Sequence, residues 1–402
     1  MRGNCAEPGA HAGLRTLARG VAGAAILALA ACSSMPDQRP SDTAAPAILA
    51  ALEASGVRDL RGSYRAALCR RLRDDGVSCD ELLLRLPGEK AMQAAPPPAD
   101  LARLYRVAFV PGLFADCVGP LVHPFADVEH DLARAGVDVH YLHVAGRGTS
   151  AANAERLARQ VAALPDDPRP FIVFAYSKGL PDVLELVARH PARAHRITAI
   201  VSIAGAAQGS LLADELQSEY HALLSWFPLL SCAPGTGEEI GDLRREVRLE
   251  WWRRHRATIS VPVFSLVTTP RRDRLTLFTA TTYRRLALID PRNDGALFWY
   301  DQIVPGSHLL GFVNADHWAV VARELPIAGV LFRDDRVPQT LLVEAAIEVV
   351  DNTLRGPRSR DSSRRLRQPH SLDSDVALRS PRRRPLCTRQ GRRVLRRQVG
   401  RL

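Results

Sequence analysis

A serine lies in the pentapeptide Ala175-Tyr176-Ser177-Lys178-Gly179, between an apolar run and a segment with helical periodicity. Small residues two positions before and after a serine allow a sharp strand-to-helix turn, in which a bulky side chain would clash. Such a turn exposes the hydroxyl at a helix N-terminus, where backbone amides favour a developing negative charge. The pattern therefore predicts that Ser177 is a nucleophile.

A serine nucleophile needs a general base within hydrogen-bonding reach. His317 follows the apolar run 309–313 directly, so we expect it in a loop after a buried strand, and it is the candidate base. The other histidines, such as His143 and His308, are expected at the surface or behind the site.

The base in turn needs a carboxylate that orients it. Asp294, in Asn293-Asp-Gly295, is the candidate acid, because its 23-position distance from His317 leaves room for one last strand. Asp301 is the alternative acid. Asp316 is less suitable, since the residue next to a histidine rarely reaches that histidine's own Nδ1.

Apolar runs and amphipathic segments alternate through the body of the chain. We expect strands at 105–110, 137–144, 170–175, 196–204 and 261–267, and helices near 121–135, 151–164 and 178–189. This rhythm predicts an α/β fold with a mostly parallel sheet and helices on both faces. Functional sites in such sheets lie at the carboxyl ends of the strands.

With these motifs, residues 101–354 resemble the α/β-hydrolase family, and specifically its bacterial lipases and esterases. Pro111-Gly-Leu-Phe114 follows the first strand, where those enzymes carry a His-Gly-Leu-type turn, although proline replaces the histidine here. The resemblance implies that the backbone amides of Leu113 and Lys178 form an oxyanion hole. It also implies ester hydrolysis through a Ser-His-Asp triad and an acyl-enzyme, with neither a metal nor an organic cofactor. The Lys178 side chain itself is expected to be solvated.

Residues 206–256 form an insertion between two strands, at the position of a helical lid. The segment Gly205–Ser210 resembles the one that opens the lid in lipases. Ile240, Leu243, Val247 and Trp251 recur at helical spacing on one face, and Arg244, Arg245 and Arg248 on the other. The apolar face either packs on the core or covers Ser177, and in the second case an ester with an apolar acyl chain is the natural substrate.

The N-terminus has the order of a secretory signal. Basic residues precede an apolar run at 21–30 that is too short to span a bilayer. Leu29-Ala-Ala-Cys32 resembles the lipobox of bacterial lipoproteins, in which residues 1–31 would be removed and Cys32 lipidated. Ser33 then favours the periplasmic face of the outer membrane, with residues 32–46 as a tether. The alternative is ordinary cleavage after Ala31.

Export to an oxidising compartment favours paired cysteines. Cys69 and Cys79 are close enough in sequence to form a disulfide, and Cys117 and Cys232 would then pair across the main domain. Buried free thiols are the alternative. No Cys-x-x-Cys or Cys/His spacing indicates a metal site.

The ends of the chain differ from its body in composition. Residues 47–100 are expected to form short helices, at 47–53, 64–73 and 80–86, followed by a Pro-rich linker. From Arg355 to residue 402 the chain carries 16 Arg and 3 Asp, which leaves a net charge of −2 for the rest of a chain of net charge +11. We expect this tail to be disordered. Three interpretations of it remain open: a segment that binds anionic lipid, an inert extension, or an out-of-frame reading of GC-rich DNA. The near-neutral body gives no case for nucleic-acid binding.

Three functions are compatible with these patterns. The first is a lipid-anchored serine ester hydrolase that acts on a small-molecule or lipid ester. The second keeps the fold but cleaves another bond or substrate, as an amidase, a peptidase or a polyester depolymerase. The third is a non-catalytic envelope lipoprotein on a hydrolase scaffold. The sequence indicates no oligomeric state.

Overall fold

The computed structural model describes residues 53–356, apart from 75–76, 95, 99, 118–121, 220–231, 233–234, 328–329 and 334–336. The predicted signal peptide, Cys32, the tether, nearly all of the helix predicted at 47–53 and the tail beyond residue 356 lie outside the described residues. Within the described ranges, no helix is both long enough and apolar enough to cross a membrane.

The chain folds around a central sheet of eight strands. These are β1 (Arg58–Asp59), β2 (Leu83–Leu84), β3 (Arg106–Val110), β4 (Asp138–Tyr141), β5 (Phe171–Tyr176), β6 (Ile197–Ile203), β7 (Val263–Thr268) and β8 (His308–Val313). Their order is β1-β8-β7-β6-β5-β3-β4, all parallel, and β2 pairs antiparallel with β8. A separate antiparallel pair comprises β9 (Glu324–Ile327) and β10 (Val330–Arg333).

Helices cover both faces of this sheet. They are α1 (Arg61–Arg71), α2 (Cys79–Leu82), α3 (Leu101–Leu104), α4 (Ala126–Arg134), α5 (Ser150–Ala163), α6 (Gly179–Arg189), α7 (Pro191–Ala194), α8 (Leu211–Glu219), α9 (Glu238–Gly241), α10 (Arg245–His255), α11 (Leu277–Ala287) and α12 (Gln339–Arg355). Along β5, Ile172 and Phe174 join one apolar core, and Phe171, Val173 and Ala175 join another. Because side chains alternate along a strand, the two cores lie on opposite faces. The predicted α/β fold is confirmed.

The segment before β3 differs from the predicted run of helices. The expected helix at 80–86 is wrong, since α2 ends at Leu82 and the chain continues as β2. Leu83 and Leu84 pair with Val313 and Phe312 of β8. Three consecutive leucines cannot all face one core from a short helix, whereas a strand at the sheet edge satisfies its backbone on β8.

The insertion also departs from its predicted pattern. The helical face drawn through Ile240, Leu243 and Val247 is wrong, because α9 ends at Gly241 and Arg244 is extended. The helical phase restarts at α10, which leaves Val247 39% exposed and Arg248 only 2% exposed. The buried Arg248 guanidinium lies 4.8 Å from the centre of the Trp251 ring. Burial lowers the Arg248 pKa to about 10.

Two disulfides are present, with the predicted pairing. Cys69–Cys79 joins α1 to α2, and Cys117–Cys232 joins the loop after β3 to the insertion. Asp116 lies beside the second pair. The two sulfurs are bonded to each other, so this group does not offer thiolates to a metal ion.

Candidate active site

Ser177 occupies a strained turn between β5 and α6. Its φ is +52°, a left-handed conformation that costs a residue with a side chain roughly 1–2 kcal/mol. Three backbone hydrogen bonds hold the turn. Ser177 N donates to the Ile203 carbonyl at 3.2 Å, and the Ser177 carbonyl accepts from Leu180 N at 3.2 Å and from Ala206 N at 3.1 Å. A Cβ on Gly179 would lie 2.5 Å from the Pro111 carbonyl oxygen, so this position requires glycine.

The structure brings Ser177, His317 and Asp294 into one line. The imidazole Nε2 of His317 lies 2.9 Å from Ser177 Oγ, and its Nδ1 lies 2.7 Å from Asp294 Oδ2. Asp294 is fully buried and His317 is 6% exposed. The three residues come from loops at the carboxyl end of the sheet, after β5, after α11 and after β8. This is the geometry in which a carboxylate orients a base towards a hydroxyl.

Four further donors fix the Asp294 carboxylate. Thr268 Oγ1 and Gln302 Nε2 donate to Oδ2 at 2.7 and 3.3 Å. The amides of Ala296 and Leu297 donate to Oδ1 at 2.9 and 2.7 Å. The carboxylate therefore has a single orientation, with Oδ2 facing the imidazole.

The alternative acids have other partners. Asp301 is buried and forms an ion pair with Arg245 at the start of α10. Burial raises the pKa of Asp301 to about 7, and Arg245 opposes this shift. Asp316 accepts hydrogen bonds from Thr276 N and Thr279 Oγ1 at 2.7 and 2.6 Å. The structure thus places Asp294, and neither alternative, on the imidazole.

The turn that carries Leu113 lies against the nucleophile. A Cβ added to Gly112 would lie 2.8 Å from Ser177 Cβ, so the two backbones approach closely. Leu113 follows directly, and Lys178 directly follows the serine. Within the described part of the chain, neither of their amides donates a hydrogen bond to a protein acceptor. Both are therefore available to a ligand at Ser177.

The Lys178 side chain is buried rather than solvated, so that expectation is wrong. It is 1% exposed, and its Nζ lies 2.7 Å from Asp182 Oδ1. Asn153 Nδ2 donates to Asp182 Oδ2 at 2.7 Å. Burial raises the pKa of Asp182, which Lys178 and Asn153 oppose. Lys178 is one of only two lysines among 54 basic residues, and that rarity was an available sign of a special environment.

Other supporting residues carry no recognisable motif. The Tyr176 hydroxyl donates to the His317 carbonyl at 2.9 Å, across 141 positions of sequence. Thr268 and Gln302, which hold Asp294, are likewise ordinary strand and loop residues. His143 is exposed, as expected. His308 is neither at the surface nor behind the site, because it is buried against Phe264 at the opposite end of β8.

Comparison with solved structures identifies the family. The chain is similar to the crystal structure of the metagenomic carboxyl esterase MGS0156, with 31% identity and a TM-score of 0.70 over 82% of this chain and 99% of that one. It is more distantly similar to the mature lipase BlEst2 of Bacillus licheniformis (18% identity, TM-score 0.44, 55% of this chain and 87% of that one). Lipase 1 from Pelosinus fermentans is comparably distant, with 12% identity and a TM-score of 0.43 over 62% of this chain and 98% of that one. These two similarities are too weak to add to the argument.

No protein-family model matches the chain, and no curated protein matches it. The identity and coverage of the carboxyl esterase, together with the parallel sheet, are sufficient for the assignment. The chain belongs to the α/β-hydrolase family, as a carboxylesterase/lipase-like member.

Proposed function

We propose that this protein is a serine ester hydrolase in which Ser177, His317 and Asp294 form the catalytic triad. His317 takes the Ser177 proton as Oγ attacks the ester carbonyl, and Asp294 stabilises the imidazolium. His317 then protonates the leaving alcohol, and a water activated by the same imidazole hydrolyses the acyl-enzyme. The observation that carries the proposal is the continuous pair of contacts at 2.9 and 2.7 Å.

The amides of Leu113 and Lys178 would hold the oxyanion of the tetrahedral intermediate. Both belong to the backbone, so the replacement of the usual histidine by Pro111 leaves the donors in place. One such donor is typically worth about 3 kcal/mol of the activation barrier. The positive φ of Ser177 supports this role, because a strained strand-to-helix turn typically exposes a nucleophile next to a helix N-terminus.

The surroundings favour an apolar acyl group. Leu113, Phe114 and Ala296 are only partly buried, and they pack on an apolar cluster. That cluster consists of Ala206, Ala213, Ile240, Leu243 and Leu297, of which two belong to the α9 region of the insertion. An acyl chain next to Leu113 would therefore contact apolar side chains, and its burial there is favourable.

A fluorophosphonate probe and p-nitrophenyl esters test the proposal together. We expect the wild-type protein to be labelled and to hydrolyse the esters. Ser177→Ala should lose the labelling and reduce kcat by at least about 10³-fold. Ser260→Ala, at an exposed serine before β7, is the control and should behave as wild type. A wild-type protein that is neither labelled nor active would support the non-catalytic scaffold, and cleavage of anilides in preference to esters would support an amidase.

We also propose that Cys32 carries the lipid anchor, on the strength of the lipobox-like pattern alone. Metabolic labelling with an alkyne analogue of palmitate should mark the wild-type protein, and cell fractionation should recover it with the membranes. Cys32→Ser should abolish the label and release the protein. Labelling that persists in Cys32→Ser would refute the assignment.

A further inference from the structure

We propose that a buried network running through Lys178, Asp182 and Asn153 positions both amides of the oxyanion hole. In this scheme Asp182 and Asn153 are positioning residues, since they act through the backbone and do not touch the substrate. The inference rests on the proposed esterase function.

The first part of the network fixes the Lys178 amide. The Lys178 and Asp182 side chains are each 1% exposed and form an ion pair one helical turn apart, at 2.7 Å. The Asp182 amide also donates to the Lys178 carbonyl at 3.3 Å. Side chain and backbone together therefore clamp the first turn of α6, which begins immediately after Lys178, whose amide is one of the two proposed oxyanion donors.

Asn153 carries the connection from α6 to the loop after β4. Its Nδ2 donates to Asp182 Oδ2 at 2.7 Å and to the Ala145 carbonyl at 3.1 Å, while its Oδ1 accepts from Ala145 N at 2.9 Å. Asn153 is completely buried. Both side-chain donor positions and the acceptor are thus in use, so the amide group has one orientation.

The loop after β4 then holds the turn that bears Leu113. Phe114 N donates to the Gly146 carbonyl at 3.0 Å, and Gly146 N donates to Asp116 Oδ1 at 2.7 Å. A Cβ on Gly146 would lie 2.8 Å from the Phe114 Cα, so the two loops are in direct backbone contact. Consecutive contacts therefore connect the Lys178 amide to the neighbour of the Leu113 amide.

Such a network has a physical use because the two donors belong to different loops. An oxyanion hole acts only when both amides point at the same oxygen, and a displacement of about 1 Å can cost roughly 10²-fold in rate. A buried ion pair is seldom the most stable filling of a core, and apolar replacements of both partners are often neutral or stabilising. The pair at Lys178 and Asp182 is thus better explained by the orientation that it imposes than by stability.

The double variant Lys178→Met/Asp182→Leu tests this, because it removes both charges and keeps both backbone amides. Asn153→Ala, which cuts the link between α6 and Ala145, is the second variant. We expect kcat for a p-nitrophenyl ester to fall by about 10- to 100-fold, with KM within about twofold of wild type. The inhibition constant of an alkyl boronic acid, whose tetrahedral adduct needs the oxyanion hole, should rise by a similar factor.

Tyr105→Phe is the matched control. It removes a buried hydrogen bond to Asp351 at 2.8 Å on the other side of the fold, so it should lower the melting temperature and leave kcat and the boronate constant unchanged. The inference would be overturned if the double variant folds and keeps the wild-type kcat and boronic acid inhibition constant. The same result in Asn153→Ala would also overturn it. Failure of the esterase proposal would look different, because the wild-type protein itself would neither be labelled nor hydrolyse esters.

Discussion

The site has a proposed acid–base side, formed by Ser177, His317 and Asp294, and a proposed oxyanion side, formed by the amides of Leu113 and Lys178. The two sides are held in place in different ways. On the acid–base side, four donors converge on the Asp294 carboxylate, and the Tyr176 hydroxyl holds the backbone of His317. On the oxyanion side, the proposed donors are main-chain amides, and the polar network comprises the side chains of Lys178, Asp182 and Asn153. On the acid–base side, hydrogen bonds hold the proposed reacting groups themselves. On the oxyanion side, they hold the backbone to which the proposed donor amides belong.

The difference follows from what each side has to do. In the proposed mechanism the imidazole of His317 takes up and releases a proton, so a carboxylate must contact it throughout the reaction. A backbone amide does not change its charge and cannot rotate independently, so only the position of its loop matters. Substitutions on the first side should therefore remove a chemical step, whereas those on the second should weaken a step that still occurs.

The largest expected effect comes from the carboxylate on the acid–base side. Asp294→Asn keeps the shape of the side chain but removes the charge that selects the imidazole tautomer. We expect kcat for an ester substrate to fall by about 10⁴-fold, which is the loss that this substitution causes in a Ser-His-Asp triad. Steady-state kinetics with active-site titration measures it.

Asp301→Asn is the paired control, seven positions further along the same loop. Because Asp301 contacts Arg245 rather than His317, we expect its kcat to stay within about fivefold of wild type. The reverse result, with loss of activity in Asp301→Asn alone, would show that Asp294 is not the acid and that the resting contact at 2.7 Å is not the functional one.

The two sides also differed in how far sequence could predict them. Ser177 and His317 each follow an apolar run, and Asp294 lies in an Asn-Asp-Gly turn at a suitable distance before His317. These patterns were sufficient to nominate the three residues, although Asp301 remained the alternative acid. The network behind Lys178 was not foreseen, because Asn153 and Asp182 lie on separate helices and meet only in the folded chain. Sequence had indicated solvent for the Lys178 side chain, where the structure has an ion pair.

The fold shows the same limit. Buried parallel strands such as β5 are continuous apolar runs. The ends of β3, β5, β6 and β7 were predicted to within about two residues. The edge strand β2 was not, since two residues are too few for a periodic signal and its partner β8 lies more than 220 positions away. Arg244 is extended, so α10 starts a new helix with a different phase. A periodic pattern read across Arg244 could not show this break.

The second prediction concerns the pH dependence of stability at Asp301, which lies in the same loop as Asp294 but outside the triad. The pKa of Asp301 is raised from 3.8 to about 7 in the folded protein, so the folded state binds more protons than the unfolded state between these values. Its contribution to the free energy of unfolding is therefore complete below about pH 4 and is lost as the pH rises through about 7. The loss amounts to at most about 4 kcal/mol.

Asp301→Asn should remove this part of the pH dependence. Urea denaturation of both proteins between about pH 4 and pH 8 measures it, and taking the difference between them cancels the other titrating groups, such as Glu129, whose pKa burial raises to about 7. Parallel curves for the two proteins would mean that Arg245 keeps Asp301 ionised throughout.

The smallest expected effect lies on the oxyanion side, at Gly112. In Gly112→Ala the new Cβ would lie 2.8 Å from Ser177 Cβ and 3.1 Å from the Tyr176 ring, so the turn must move away from the nucleophile and take the Leu113 amide with it. Loss of one oxyanion donor predicts a fall in kcat of about 10²-fold, or about 3 kcal/mol, while fluorophosphonate still labels Ser177. Gly136→Ala is the control: its φ of +80° strains the backbone, but nothing lies within 4 Å of the new Cβ, so stability should fall and kcat should not. Equal kcat values in the two variants would mean that the Leu113 turn can move without loss of activity. The Lys178 amide would then be the donor on which the oxyanion side depends.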